Sequence, residues 1–208
     1  MHFTLLLAAA AIVAASVSCG STSGTGGGRG SSFLVIDSLQ GIRGAAAIGA
    51  PATTLTSDVI TNVIAPPPCS SATPCATVFG DSGLVVMHVV MKDAASANPT
   101  NATPINFITL TRYRVEYVRA DGHNTPGVDV PFQFDGALTV TVTATATSVG
   151  FSLVRVQAKE EAPLVLLKFG GGIVSQIAKV TFYGADQAGN AVSITGSIDI
   201  NFGNFGDL

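Results

Sequence analysis

The chain has 208 residues, of which 47% are hydrophobic and 11% are charged, with a net charge of −3 and a mean hydropathy of +0.49. This balance is the opposite of that in disordered chains, and it excludes the basic surface that nucleic-acid binding requires. The length accommodates one domain with an appendage.

An N-terminal export signal is indicated by residues 5–17, which read LLLAAAAIVAASV and carry no charge. The stretch is too short to cross a bilayer as a helix, but it matches the apolar core of a secretory signal. Small residues at 16–18 lead to Cys19, and this pattern resembles a bacterial lipobox. The resemblance implies a signal peptide over 1–18 and lipid attachment at Cys19. Ordinary cleavage at the same bond would instead leave a soluble secreted or periplasmic protein.

Residues 19–32, CGSTSGTGGGRGSS, are predicted to form a flexible tether, because Gly, Ser and Thr cannot bury apolar surface. A phosphate-binding loop is excluded here, since no strand precedes the glycines and no GK[ST] closes the motif. In lipoproteins with this lipobox, glycine after the cysteine implies the outer membrane of a Gram-negative cell, and Gly20 occupies that place. We therefore expect a domain over 33–208 that is held at the outer membrane, on its periplasmic or surface face.

Two further cysteines, Cys69 and Cys75, lie in the proline-rich segment PPPCSSATPCAT. Because an exported chain meets an oxidising compartment, this pair is predicted to form a disulfide that closes a small surface loop. A zinc site is the alternative, but two more ligands are missing nearby.

Strand patterns dominate the chain after residue 33. Residues 84–91, LVVMHVVM, are apolar on both faces and predict a central strand that is buried on both sides, whereas 137–147 alternates Thr with apolar residues. Further strands are predicted at 33–39, 54–60, 76–79, 105–119, 128–134, 151–157, 179–183 and 191–202. Within the last of these, Gly196 indicates a bulge or a close backbone approach. The best helix candidate, 159–168, is interrupted by Pro163.

The C-terminal pattern favours a particular all-β architecture. Residues 180–190, VTFYGADQAGN, resemble the last hairpin of bacterial immunoglobulin-like domains, in which a strand runs into D-x-A-G-N before the final strand. The stretch 112–131 is also similar to uncharacterised exported bacterial lipoproteins, which implies no activity. The predicted fold is an antiparallel immunoglobulin-like β-sandwich of about seven to nine strands.

The sequence contains few candidates for catalytic residues. His88 lies in an apolar strand, where a lone histidine is expected to be a hydrogen-bonded core residue, and His123 lies in a polar turn. Residues 80–83, GDSG, are similar to the serine motif of chymotrypsin-like proteases, but the mature chain has no histidine before Ser82 to act as the base. This segment is expected to be a turn before a buried strand. We predict no catalytic residue, cofactor or metal.

Two surface features leave a ligand-binding alternative open. Asp121, Asp129, Asp135 and Asp186 lie in or near turns and could take part in calcium binding, although the D-x-D-x-D-G loop is absent. A charged strand face is expected to be solvated, with a ligand patch as the alternative; it comprises Arg112, Arg114, Glu116 and Arg119.

The sequence thus favours a non-enzymatic, lipid-anchored envelope protein that acts as a structural, adhesive or complex-forming module. Its expected partners are the membrane, through the lipid, and a protein or polysaccharide of the envelope. The alternative is a module that binds polysaccharide or calcium. The absence of Trp and the presence of only three Tyr disfavour sugar binding through flat aromatic rings. A hydrolase ranks third.

Overall fold

Strands account for most of the secondary structure in the computed structural model, which describes residues 30–45, 49–92 and 102–206. The predicted signal peptide, Cys19 and all but the last residues of the predicted tether lie outside these ranges. The first strand begins at Ser32, so the last residue of the predicted tether already belongs to the folded domain.

The strands that the described residues form are bounded as follows: β1 (Ser32–Ile42), β2 (Thr54–Asp58), β3 (Thr61–Val63), β4 (Cys75–Thr77), β5 (Asp81–Met91), β6 (Ile108–Val118), β7 (Phe134–Val142), β8 (Thr147–Val154), β9 (Val174–Asp186) and β10 (Ala191–Gly203). The helical segments among them are short: the 3-10 helices η1 (Pro104–Asn106) and η2 (Leu164–Phe169), and the α-helix α1 (Val156–Glu160).

The strands form a five-stranded sheet of order β2-β10-β9-β6-β7, a three-stranded sheet of order β1-β5-β8, and the small β3-β4 hairpin. All of the pairs between these strands are antiparallel except β2 with β10, which is parallel. The prediction of an all-β fold with antiparallel sheets is therefore confirmed. The parallel strand β2 and the separate hairpin were not anticipated.

One hydrophobic core joins the two larger sheets. On β6, Tyr113 and Tyr117 point inward, as the alternating pattern predicts. The Tyr113 ring packs edge-on against Phe151 of β8 with ring centres 5.2 Å apart, and Phe151 in turn contacts Phe182 of β9 at 5.4 Å. The Tyr117 hydroxyl donates a 2.7 Å hydrogen bond to the Leu153 carbonyl, which links the opposite sheet through a buried polar contact.

The prediction that residues 84–91 are buried on both sides is wrong. Val85, Met87 and Val89 of β5 point into the core, but the alternate residues are only half-buried. His88 belongs to this half-buried face, where its Nδ1 lies 2.9 Å from Asp37 Oδ2 of β1. It is hydrogen-bonded as expected but is not a core residue, because no third layer covers this sheet in the described part of the chain.

Two predicted strand boundaries around β7 are also wrong. No strand forms over residues 128–133: a turn covers 127–129, where Asp129 N donates to Thr125 O at 2.8 Å, Val130 forms an isolated bridge with Pro126, and 131–133 are irregular. The alternating run predicted over 137–147 leaves the five-stranded sheet after Val142 and enters the other sheet at Thr147. The alternation of Thr with Ala continues through this crossover, so the pattern does not reveal it.

The remaining local expectations have mixed outcomes. Pro163 separates α1 from η2, as the interruption of the helical pattern predicts. The strand predicted at 151–157 ends at Val154, because α1 begins two residues later. Gly196 makes a close approach, since a Cβ there would lie 3.0 Å from Ile36 Cδ1 and from Leu39 Cδ2. The pairing of β10 with β9 runs through it without a bulge.

The two-sheet domain has two distinct ends. At the end that we call the entry end, Gly30 lies against Asp186 and Asn190 of the β9–β10 turn, and Ser32 Oγ donates to the carbonyl of Asn106 in η1 at 2.8 Å. At the opposite end, which we call the far end, β2 and β10 finish while β5, β7 and β9 begin. The predicted tether therefore joins the domain at one end only.

Candidate functional site

A pair of fully buried charges lies at the far end. Lys159 of α1 and Asp81 at the start of β5 have no side-chain exposure, and Lys159 Nζ lies 2.9 Å from Asp81 Oδ2. The same oxygen accepts a hydrogen bond from Ser57 Oγ at 2.6 Å, and Asp81 Oδ1 accepts one from Gly44 N at 2.8 Å. Three donors therefore surround a carboxylate that could not be buried alone without a large desolvation penalty.

A second carboxylate extends this arrangement. Asp58 accepts a 2.6 Å hydrogen bond from Arg43 Nη2, while its main-chain oxygen accepts one from Lys159 Nζ at 2.8 Å. Asp58 Oδ1 also accepts from Phe205 N, beyond the end of β10, at 3.2 Å. We call Arg43, Asp58, Asp81 and Lys159 the buried charge cluster. It ties together α1, β2, β5 and the segment that follows β10.

The cluster and its neighbour Ser57 together supply the residue types of a serine nucleophile and a lysine base. Burial lowers the pKa of Lys159, an effect that Asp81 opposes. However, Ser57 and Lys159 are both 0% exposed, so a substrate has no access to either group. Both amine and hydroxyl are moreover directed at Asp81. The arrangement is suited to holding segments together and not to chemistry on an external substrate.

A cavity of about 400 Å³ opens beside the cluster, between the start of β7 and α1. Its walls include Phe132 and Gln133 on one side and Arg155, Gln157 and Glu161 on the other. We call this cavity the far-end groove. Of the side chains that α1 and its flanks present, Lys159 points inward to the charge cluster, whereas Gln157 and Glu161 are exposed. The short helix thus forms one wall of the groove while a buried lysine fixes its position.

Exposed apolar side chains are concentrated at the far end. Phe169 is 91% exposed, Leu166 is 72% exposed and Ile173 is 61% exposed, all within η2 and the loop that leads to β9. Other large exposed apolar residues in far-end connections are Ile64, Val128, Phe132 and Val156. Among the described residues, Ile105 of η1 is the one large exposed apolar side chain at the entry end. Clustered exposure of this kind is typical of interaction surfaces.

The predicted disulfide is present. The sulfur atoms of Cys69 and Cys75 are 1.99 Å apart, and the bond closes a loop beyond the β3–β4 hairpin. Residues 71–74 of this loop are all exposed. The bond therefore stabilises a projecting loop and not the core.

The sequence-predicted histidine and carboxylate candidates do not form one site, although some of them are neighbours. His123 lies in an exposed turn 3.6 Å from Asp121 Oδ1, as expected for a surface residue. Asp186 is at the entry end, whereas Asp121, Asp129 and Asp135 lie towards the far end. Within residues 30–45, 49–92 and 102–206, no three His, Cys, Asp or Glu side chains form a group that could hold a metal ion.

Each of these four carboxylates already has local donors. Arg119 is the main cause that lowers the pKa of Asp121 to about 2, and Arg114 lowers that of Asp135. The Thr125 amide lowers the pKa of Asp129, and Asn190 lowers that of Asp186. These contacts explain the carboxylates as turn and strand-face residues. The side chains of Arg112 and Arg114 are 51% and 39% exposed, and both form ion pairs with Asp135, which agrees with a solvated face.

Two features of the far end are not evident from the sequence. Asp81 was assigned to a turn, but it is the first residue of β5 and is buried against Lys159, 78 positions later in the chain. The far-end groove likewise joins Phe132 to Arg155 across the two sheets. The one local indication of a buried charge is that Lys159 lies in a segment that also contains the apolar residues Leu164 and Val165.

No family model matches the sequence, and comparisons with curated proteins and with solved structures find no significant match. The described part of the chain contains no helix that is long and apolar enough to span a membrane.

Proposed function

We propose that this chain is a non-enzymatic, lipid-anchored protein of the cell envelope, whose immunoglobulin-like β-sandwich acts as an adhesive or complex-forming module through its far end. The expected location is the outer membrane, with the lipid on Cys19 and the tether over 19–32. The soluble secreted or periplasmic form is the alternative to the anchored one.

The observation that carries this proposal is the separation of the two ends. The chain enters beside Asp186, whereas Leu166, Phe169 and Ile173 are exposed at the opposite end. A flexible tether of this length has an average reach of about 20 Å. Strands of up to 13 residues make the domain about 40 Å tall at roughly 3.3 Å per residue. The far end would therefore face away from the membrane that holds the anchor.

The anchor is tested by supplying labelled palmitate to cells that produce the chain. We expect the label in the wild type and its loss in Cys19→Ala, because the thiol is the attachment point that the lipobox implies. The matched control is the double variant Cys69→Ser, Cys75→Ser, which should keep the label. An unlabelled wild-type chain would contradict the anchor.

The role of the far end is tested by sedimentation of the purified Cys19→Ala chain with isolated envelopes of the producing cells. We expect the added substitutions Phe169→Ser and Ile173→Ser to weaken binding about tenfold or more, because two exposed apolar contacts are lost. Ile105→Ser, at the entry end, is the matched control and should leave binding unchanged. Equal effects at the two ends would contradict the proposed orientation.

A second candidate function is a ligand-binding module, and the far-end groove favours its polysaccharide form. The groove combines an exposed aromatic ring with several planar polar side chains. The calcium form has no comparable support, since its candidate carboxylates are dispersed and locally hydrogen-bonded.

A further inference from the structure

The far-end groove has one exposed aromatic wall. Phe132 is 56% exposed, and its ring rests on Gly127, where a Cβ would lie 2.8 Å from Phe132 Cε2. Gly127 has a φ of +76°, a conformation that disfavours any side chain. The glycine thus leaves room for the distal end of the ring against the backbone, while much of the side chain remains open to solvent.

The opposite wall carries a cation whose orientation is fixed. Arg155 places its guanidinium 3.8 Å from the centre of the Phe134 ring and donates from Nη2 to the Asp135 carbonyl at 2.7 Å. Among the described residues it has no carboxylate partner within salt-bridge distance. A stacked guanidinium keeps its remaining donors in one plane, which favours paired acceptors on a ligand.

Amide and carboxylate groups complete the groove. Gln157 Nε2 donates to Glu161 Oε1 at 2.8 Å, which fixes both side chains on the helical wall. Gln133 is exposed and makes no side-chain hydrogen bond to the described part of the chain. The groove therefore offers donors and acceptors from planar groups beside the exposed ring of Phe132.

We propose that the far-end groove binds a glycan, with a pyranose ring stacked on Phe132 and its hydroxyls hydrogen-bonded to Gln133, Arg155, Gln157 and Glu161. A pyranose presents an apolar face of C–H bonds and a rim of neighbouring hydroxyls that both donate and accept. This inference rests on the proposed function, because it names the ligand of the far end that the tether presents.

Other ligand classes fit the groove less well. A lipid chain would bury the guanidinium, the amides and the carboxylate without partners, which is costly. A nucleic acid would need several cations along its backbone, whereas the groove contributes Arg155 together with the opposing charge of Glu161. A sugar matches because its hydroxyls satisfy both donors and acceptors at an open site.

The test is calorimetric titration of the purified full-length Cys19→Ala chain with defined hexasaccharides: cellohexaose, maltohexaose, chitohexaose and hexagalacturonate. A parallel arm uses polysaccharide extracted from the producing cells. We expect at least one of these probes to bind. Binding of the extracted polysaccharide would identify a ligand of the cell's own envelope, and binding of a defined probe alone would identify a foreign one. Failure of every probe would overturn the proposal.

Variants then locate the site. We expect Phe132→Ala to weaken binding about tenfold through loss of the stacking surface, and Gln133→Ala to weaken it roughly three- to tenfold through loss of a hydrogen bond. Ile105→Ala removes an exposed apolar side chain at the entry end, outside the binding surface, and is the matched control that should bind normally. Since Phe132 and Gln133 are exposed, both variants should melt at the wild-type temperature.

Two results would overturn the glycan site: binding that survives Phe132→Ala and Gln133→Ala, or equal loss in Ile105→Ala. Neither result affects palmitate labelling of Cys19 or the envelope sedimentation of the Phe169→Ser, Ile173→Ser chain. Failure of the glycan site is therefore distinguishable from failure of the proposed function.

Discussion

Replacing Lys159 with methionine is expected to lower the free energy of unfolding by about 3–5 kcal/mol, because a buried carboxylate then loses its cation. Asp81 would keep the Ser57 hydroxyl and the Gly44 amide as hydrogen-bond donors, but its negative charge would remain fully buried with no cation beside it. Methionine has a similar length and suits a buried site, so packing changes little. Urea denaturation of wild type and variant measures the difference.

The matched control for this variant is Lys179→Met. Lys179 is exposed on the outer face of β9, so the same substitution should change the unfolding free energy by about 0.5 kcal/mol or less. Equal losses in the two variants would mean that the buried charge cluster contributes nothing specific to stability.

A double-mutant cycle isolates the Lys159–Asp81 interaction. Asp81→Asn alone leaves the buried ammonium without its carboxylate, but in the Lys159→Met background it removes a charge that has already lost its partner. We therefore expect the double variant to lose less stability than the sum of the single losses, by about 1–3 kcal/mol. Additive losses would contradict direct coupling between the two side chains.

The same lysine predicts a pH dependence with a definite sign. Burial lowers the pKa of Lys159 below its ordinary value of 10.5, so between the two values the unfolded chain binds more protons than the folded one. The unfolding free energy should therefore rise with pH through this interval. The unfolding free energies of the wild type and of Lys159→Met should be compared below about pH 10. Above that pH a second group contributes, because burial raises the pKa of Tyr117 and so destabilises the folded state. Lys159→Met should lack the rise that Lys159 causes.

The sequence predicts local structure well where one pattern decides it. The β9–β10 hairpin follows from its alternating apolar residues and from the D-x-A-G-N turn, in which Asp186 accepts hydrogen bonds from Ala188 N and Asn190 N. Gly189 has a φ of +86°, as the turn requires. The strand pattern and the turn motif are both local, so the sequence alone is enough to predict this hairpin.

The far end could not be predicted in the same way, because its contacts join distant segments. Asp81 stands among glycines and a serine, which are turn-forming residues, and Lys159 stands beside two glutamates, which suggest a solvated surface. Their burial depends on which strands become neighbours. The half-buried face of β5 was missed for a related reason, since apolar residues on both faces do not reveal whether a third layer is present.

The buried charge cluster and the far-end groove are connected through α1. Lys159 holds the inner face of this five-residue helix, while Gln157 and Glu161 on its outer side form a wall of the groove. A helix of five residues is not stable by itself, so tertiary contacts must fix it. The burial of Lys159 is unfavourable in itself, but it fixes the position of α1 and with it the proposed binding surface.

Glycine at position 184 is expected to be essential for the pairing of β9 with β6, and Gly184→Ala should lower the unfolding free energy by about 3 kcal/mol. A Cβ at this position would overlap the Thr109 carbonyl oxygen and lie 2.8 Å from Leu110 Cα. Both atoms belong to the backbone of β6, so relief requires movement of a whole strand and not of a flexible side chain.

The local register explains why the two backbones are so close. The β6–β9 ladder shifts between Leu110 and Arg112, so β6 carries an extra residue opposite the position of Gly184. Such a bulge bends its strand and changes the local spacing. The substitution should therefore disturb both strands that flank the shift, and protection of the Thr109 and Leu110 amides from hydrogen exchange should fall together.

Gly150→Ala is the matched control, because Gly150 also lies in a strand but a Cβ there would meet no atom within 4 Å. Alanine restricts the unfolded chain more than glycine does. The free energy of unfolding of this variant should therefore be unchanged or higher, by up to about 0.5–1 kcal/mol. Thermal and urea unfolding of the two variants measures the contrast. Equal stability of Gly184→Ala and Gly150→Ala would mean that β6 can move away from β9 at little cost, and that the register shift does not hold the two backbones together.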